Sequence, residues 1–202
     1  GNHRKSLVEN LNESLKRLGT GYIDILYVHA WEFRTPIEEV MRSLDDAVRS
    51  EKVLYVAISN APAWVISCAN MMAELRGWSH FIGLQTRYNL LIDLWNSIYN
   101  LLALNLIFLT GKYTRESVAN LKNIADMNNY RNSSAIKLAE NEQNWKVLDK
   151  VIDIAVETKK SPVRVALNWI SQKPGITSPV IGARTKAQLV ENLKDLEFKS
   201  LY

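Results

Sequence analysis

The sequence predicts an α/β protein of the (β/α)8 barrel type, with about five βα units present, and three observations carry that prediction. Runs too continuously apolar for half-exposed strands alternate with runs whose apolar residues recur at helical spacing. The alternation has a period of roughly thirty residues, the length of one βα unit, which favours parallel strands in an open doubly wound sheet or a closed barrel. No GxGxxG or GxxxxGK(S/T) follows any apolar run, which weighs against the usual dinucleotide fold and the P-loop and favours the barrel.

Each element has its own signal. Ser6 and Glu9 form a capping box, Leu7, Leu11, Leu15 and Leu18 repeat at helical spacing, and Gly19 can end the helix. The stretch 22–29, "YIDILYVH", reads as a strand covered on both faces, with Asp24 its internal charge. Thr35 caps a second helix with Pro36 at its first position and Glu38 completing the box; Ile37, Val40, Met41, Leu44 and Val48 form the buried stripe. "VLYVAISN" (53–60) is a second buried strand, Pro62 opens a helix through Leu75, and "FIGLQTRYN" (81–89) is a third strand. Trp95, Ile98, Tyr99 and Leu102 suggest a short helix, and 104–109 a strand. The polar, asparagine-rich stretch 114–144 reads as a long loop with a little helix. A helix follows through Trp145, Leu148, Val151, Ile152 and Ala155, then another opened by Ser161 and Pro162 that runs through Leu167 and Ile170. "SPVIGA" (178–183) is expected to be a short strand, and Thr185 with Gln188 makes a capping box for a last helix along Leu189, Leu193 and Leu196.

Composition narrows the function classes. With 202 residues, 47% hydrophobic and 23% charged, the chain suits one compact domain over 1–202. Its 25 basic and 21 acidic residues are interspersed, without a basic block, so no nucleic-acid partner is expected. The single cysteine, Cys68, excludes an internal disulfide and reads as a small buried hydrophobe. The start, "GNHRKSLVEN", is polar, and the most apolar stretch, 101–109, carries an asparagine and is too short to span a bilayer. A cytoplasmic protein with no membrane and no metal site is expected. The absence of an initial methionine and an end just past a helical pattern suggest a piece of something longer, truncated at both ends.

Parallel βα folds place function at the carboxyl ends of their strands. Those ends offer His29, then Ser59 with Asn60, then Gln85 slightly inside its strand, then Gly182 and Arg184. A satisfied strand-edge histidine is the bland reading of His29, and helix capping ahead of Pro62 that of Ser59 and Asn60. A glutamine in a covered strand needs partners for its amide. At the last junction, "GARTKAQ" brings Arg184 and Lys186 to a helix amino terminus, which suits a phosphate; the alternative is a capped helix with two solvated cations.

"LGTGYIDILYVHAW", "TPIEEVMRSLDDAVRSEKVLYVAISN", "GLQTRYNLL", "LTGKY", "SPVRVALNWISQKPG" and "PVIGARTKAQLVENL" resemble, in order, landmarks of the aldo-keto reductases over most of the chain. The resemblance implies an NADP(H)-dependent reductase of small-molecule carbonyl substrates on a barrel of that type. It implies that His29 is the histidine of the catalytic tetrad, and that Ser59, Asn60 and Gln85 hydrogen-bond the nicotinamide carboxamide. Lys112, Gly182, Arg184, Gln188, Glu191 and Asn192 then lie around the cofactor's phosphates and adenine, Arg184 being the natural partner of a 2′-phosphate.

The pattern also departs from the family. Its catalytic aspartate, tyrosine and lysine precede the helix at which this sequence begins, so the chain as it stands is expected to be inactive. Tyr27, two residues before His29 on the same strand face, would sit a layer deeper. The region after Ile92 lacks the family's longer helix and the Trp-Ser-Pro-Leu-Gly-like turn. Three readings stay open: a reductase whose remaining tetrad lies upstream, a non-catalytic nucleotide-binding or regulatory module of the same fold, and a half barrel that folds on pairing. About five strands cannot close a barrel, so open edges should drive self-association into a homo-oligomer.

Overall fold

The computed structural model describes residues 1–86, 90–91, 108–123 and 130–194, with backbone alone at 121–123, 130–132 and 134. The chain gathers into two compact units, Gly1–Thr86 and Arg87–Tyr202.

The first unit is a βα repeat. Helix α1 (Arg4–Leu18) leads to β1 (Ile23–His29), α2 (Ile37–Arg49), β2 (Val53–Ser59), α3 (Ala63–Arg76) and β3 (Phe81–Gln85). The strands form one parallel sheet in the order β1-β2-β3. One face carries the core: Val28, Val56, Ile58 and Phe81 pack with Leu11 and Leu15 of α1, Val40, Met41 and Leu44 of α2, and Val65, Ala69 and Ala73 of α3. The small residues of α3 stand at four-residue spacing, so their stripe faces the sheet. Cys68 falls beside that stripe and is exposed, which corrects the expectation of a buried thiol.

β1 also differs from its expectation. Its burial is one-sided: Ile25, Tyr27 and His29 are exposed on the face away from the helices. The unbroken apolar run records a strand apolar on both faces, of which the helices of this unit cover one. Helix starts shift as well. α1 begins before Ser6, with His3 as its cap, the Nδ1 accepting the Ser6 N–H at 3.3 Å. α2 begins after Pro36, and the Thr35 hydroxyl donates to Glu32 Oε1 at 3.0 Å instead of capping.

In the second unit the described elements are α4 (Arg115–Asn123), α5 (Tyr130–Ala139), α6 (Glu142–Thr158), α7 (Pro162–Ser171) and α8 (Lys186–Leu193). Trp145 is a hub: its ring meets Phe108 edge-on at 4.8 Å, its Nε1 donates to Ala139 O at 2.9 Å, and the Arg115 guanidinium lies 4.8 Å from its centre. Arg115 also pairs with Glu142 at 2.9 Å and Asp149 at 3.4 Å, tying α4 to α6. A second cluster joins Leu109 to Val151, Ala155, Val165 and Ala166.

Three expectations change in this unit. The stretch 114–144 holds α4, α5 and the start of α6 in place of a long loop. The missed signal is a reciprocal cap, in which Ser117 N–H donates to Thr114 Oγ1 at 3.1 Å and Thr114 N–H to Ser117 Oγ at 2.8 Å. The stretch 178–183 is not a strand, and Val180 is 72% exposed. A strand is held by a neighbour's ladder, and no strand is found in this unit among the described residues. Phe108 to Gly111 form a turn, with Gly111 N–H on Phe108 O at 3.4 Å, where the end of a strand was expected; residues 104–107 and the short helix expected near Trp95 lie outside the described residues.

Candidate active site

The ladder brings three of the expected residues into one row. His29 is the register partner of Ser59, and Ser59 that of Gln85, at the carboxyl ends of three adjacent parallel strands. Neighbouring strands stand about 4.8 Å apart, so the row spans two strand spacings on the face away from the helices.

A bulge makes that row. Between Val56 and Ile58 of β2 the partners on β3 run from Phe81 to Leu84, so β3 carries one extra residue. Without it Gln85 would stand opposite Asn60, and its side chain would fall on the helix side of the sheet. With it Gln85 shares a row and a face with Ser59.

The strand ends are zipped beyond their last paired residues. Ala30 N–H donates to Ser59 O at 3.1 Å, Trp31 N–H to Asn60 O at 3.3 Å, and Asn60 N–H to Gln85 O at 3.1 Å. Asn60 has a left-handed φ of 50°, a conformation asparagine tolerates better than most residues. Neither Ser59 nor Asn60 caps α3, whose cap is Pro62 with no side-chain hydrogen bond. Ser59 is buried, whereas His29 and Gln85 are exposed, so Gln85 does not need the internal amide partner that a covered strand would demand. The His29 ring, the Ser59 hydroxyl and the Gln85 amide have no hydrogen-bond partner among the described residues, so both donors and acceptors remain available in the row.

The entry to β3 is fixed from two sides. Asn70 of α3 clamps Phe81, its Oδ1 accepting the Phe81 N–H at 2.9 Å and its Nδ2 donating to Phe81 O at 3.3 Å. Asp45 of α2 accepts from Ser79 N–H at 2.9 Å, Ser79 Oγ at 3.2 Å and Arg49 Nε at 2.6 Å. Burial pushes the Asp45 carboxyl up, but the Arg49 hydrogen bond and the two Ser79 donors outweigh it and hold the group below its ordinary range.

The second unit holds the remaining expected residues. Thr185 caps α8 by accepting the Gln188 N–H at 3.2 Å, and Gln188 Oε1 accepts the Arg184 N–H at 2.9 Å. Arg184 is exposed at that helix start, beside Lys186. Glu191 accepts the Ser161 hydroxyl at 2.7 Å and Lys194 Nζ at 3.3 Å; the Ser161 bond comes first among the causes that hold its carboxyl below the ordinary range. Gln188 and Glu191 thus already have partners within this unit. Lys112 follows the Gly111 turn, its N–H on Thr110 Oγ1 at 3.3 Å, and Gly182 lies outside regular secondary structure with open space where a Cβ would stand.

Among the described residues there is no cluster of metal-ligating side chains, and no helix is long and apolar enough to cross a membrane.

The chain is similar to several curated proteins. Norsolorinic acid reductase B of Aspergillus parasiticus is 31% identical over 200 residues, covering 91% of this chain and 49% of the relative. Aryl-alcohol dehydrogenase GME11368 of Pestalotiopsis microspora is 33% identical over 206 residues, 98% of this chain and 52% of the relative. Aldo-keto reductase ausK of Emericella nidulans is 30% identical over 216 residues, with 98% and 52% covered. The chain spans about half the length of these curated relatives. The Aldo/keto reductase family model matches residues 1–201. With nearly the whole length matched, the chain belongs to the aldo/keto reductase family.

Proposed function

We propose that residues 1–202 form part of an NADP(H)-dependent reductase of aldehydes and ketones, which in reverse is an alcohol dehydrogenase. The observation that carries the reading is the single row of His29, Ser59 and Gln85 at the ends of three parallel strands. A carboxamide presents one acceptor and two donors, and the Ser59 hydroxyl, the Asn60 side chain and the Gln85 amide form a complementary set. Arg184, exposed at a capped helix start, suits a 2′-phosphate, with Lys112, Gly182, Gln188, Glu191 and Asn192 around the rest of the nucleotide.

When bound, the nicotinamide supplies the hydride. The residues of this chain orient and polarise. Charge builds on the carbonyl oxygen as its carbon is reduced, and a histidine at the strand end donates a hydrogen bond to that oxygen and sets the carbonyl's direction. The family's proton-donating tyrosine and its aspartate and lysine have no match within 1–202, and Tyr27 lies a layer below His29 on the same face. A missing general acid costs roughly 10²–10⁴-fold in rate, so these residues alone are expected to show no appreciable turnover.

The test is NADPH oxidation with an aldehyde, measured for the isolated 202 residues and for the complete product of the gene. Turnover by the complete product that His29→Ala lowers at least tenfold supports the reading. Turnover by the isolated 202 residues that His29→Ala abolishes would overturn the account of the missing acid. A complete product that binds NADPH but reduces no aldehyde or ketone would replace the enzyme by a nucleotide-binding module.

A further inference from the structure

The junction between α6 and α7 carries a short pattern of its own. Residues 159–164 read "KKSPVR": a serine followed at once by proline, with an arginine three residues beyond it and two lysines before it. Thr35 and Ser178 are also followed by proline, but three residues beyond them stand Glu38 and Ile181. Ser161 alone therefore combines a following proline with a basic residue at that distance. Proline restricts the residue before it to extended backbone, and Ser161 has φ −77° and ψ 151°.

Ser161 stands at the cap position of α7 but does not cap it. Its hydroxyl donates to Glu191 Oε1 of α8 at 2.7 Å, and no side-chain bond reaches the N–H groups of the first turn from it. Arg164 is the third residue of the helix, the position whose side chain meets that of the cap residue. Its Nη2 donates to Lys194 O at 2.7 Å, whereas its Nε is buried and has no hydrogen-bond partner. A buried N–H left without an acceptor is destabilising. The Ser161 oxygen thus has orphan donors on its own helix and a carboxylate across from it.

We propose that Ser161 is a phosphorylation site for a proline-directed protein kinase, and that its phosphate detaches Glu191 and so weakens binding of the nucleotide. The transfer joins the Ser161 oxygen to the γ-phosphorus of a nucleoside triphosphate, breaks the bond from that phosphorus to the departing nucleoside diphosphate, and passes the hydroxyl proton to the kinase's base. The new group carries about two negative charges. It removes the hydrogen that Ser161 gives to Glu191 and sets like charge against that carboxylate. The first-turn N–H groups and Arg164 Nε supply donors to the phosphate, so α7 becomes capped while α8 loses a tie. Helix ends fray, and first-turn N–H groups have no acceptor within the helix, so this segment opens to a kinase more readily than an interior turn does. The effect on nucleotide binding rests on the reductase reading above, in which Glu191 faces the nucleotide; the site itself does not.

The experiment treats the complete product of the gene with ATP and a cyclin-dependent kinase, and locates the phosphate by tandem mass spectrometry. Phosphate enters at Ser161, and in Ser161→Ala it enters at neither Thr35 nor Ser178. In the modified protein amide exchange rises over 186–193 and does not rise over 162–171, and both NADPH and NADH bind about three- to tenfold more weakly by calorimetry. Glu191→Gln presents an amide that can donate to the phosphate, so there the modification leaves exchange over 186–193 as it was. No phosphate at Ser161 overturns the site. Phosphate at Ser161 without a rise over 186–193, or with an equal rise in Glu191→Gln, overturns the detachment, and a rise with nucleotide binding unchanged overturns its link to the cofactor. If the unmodified protein binds neither nucleotide, the reductase reading fails, and labelling and exchange alone decide the site and the detachment.

Discussion

The two units hold their expected site residues by different means. In Gly1–Thr86 the positions of His29, Ser59 and Gln85 follow from a backbone ladder, and one cluster of side chains under the sheet fixes all three strands together. In Arg87–Tyr202 Lys112 follows a turn, Arg184 and Gln188 are set by the cap at the start of α8, and the apolar contacts of the described residues divide into two clusters. A ladder transmits register across the unit, whereas a cap acts within one turn of helix. Damage to the core of the first unit should therefore displace the whole row, and damage to a cluster of the second should stay local.

The largest effects test that contrast. Leu44 is fully buried beneath the sheet, and Leu44→Ala should destabilise the first unit by about 3 kcal/mol. Amide exchange should then rise together in 23–29, 53–59 and 81–85. Trp145→Ala should cost about 4 kcal/mol in the second unit, through lost contact with Phe108 and an orphaned Ala139 carbonyl. Its exchange should rise in 115–123 and in 142–148 and leave 151–158 and 162–171 protected. Uniform loss of protection over 115–193 would show one cooperative core where two clusters are seen.

Asp45 gives the next effect, and its sign is set by pH. Its carboxyl is held below the ordinary value of 3.8, so the folded chain binds that proton less readily than the unfolded chain. The contribution is complete above the unfolded value and is lost as pH falls through the folded one. Asp45→Asn should destabilise by about 2 kcal/mol at neutral pH. The gap between wild type and variant should hold down to about pH 5 and narrow below about pH 4. Denaturant melts at several pH values measure it, and a gap that widens in acid would reverse the assignment.

How much of this was legible in the sequence depends on the range of the signal. The strands, the helices α2, α3, α6 and α7, and the Thr185 and Gln188 cap declare themselves by periodicity and short-range capping patterns. The positions of His29 and Ser59 at strand ends were readable for the same reason, whereas Gln85, expected slightly inside a strand running to residue 89, is the last residue of β3. Their common row was not read, because it depends on a bulge in β3 that changes which residue of β2 faces Gln85; the local mark of that bulge is Gly83, a lone glycine inside an apolar run, which does not by itself fix the register. The stretch 178–183 misled in the opposite way: its apolar residues fit a strand, but strand formation needs a neighbour that local sequence cannot supply.

Cofactor choice separates the two kinds of positioning. Arg184→Ala in the complete gene product should weaken NADPH binding roughly ten- to a hundred-fold and leave NADH nearly unchanged, as expected for one charge-assisted contact to a 2′-phosphate. Ser59→Ala should weaken both alike, because the carboxamide is common to them. Titration calorimetry with each nucleotide decides it. Equal losses at Arg184 would make that residue a solvated cation at a capped helix start.

The smallest effect lies at the helix ends, where the units differ by one residue type. α3 closes on Gly77 with φ 63°, and α6 closes on Lys159 with φ 55°, each in the left-handed conformation and each with its N–H returned to the last turn. Glycine adopts that conformation without a Cβ clash, whereas lysine pays roughly 1 kcal/mol for it. Lys159→Gly should therefore stabilise the second unit by about 0.5–1 kcal/mol after allowing for the greater freedom of glycine in the unfolded chain. Gly77→Ala should destabilise the first unit by about 1 kcal/mol, although a Cβ there would meet nothing within 4 Å. Open space at Gly77 means that the cost there is one of backbone conformation alone. Paired denaturant melts read both changes, and a Lys159→Gly variant less stable than the wild type would show that the lysine side chain contributes more at the end of α6 than its backbone strain removes.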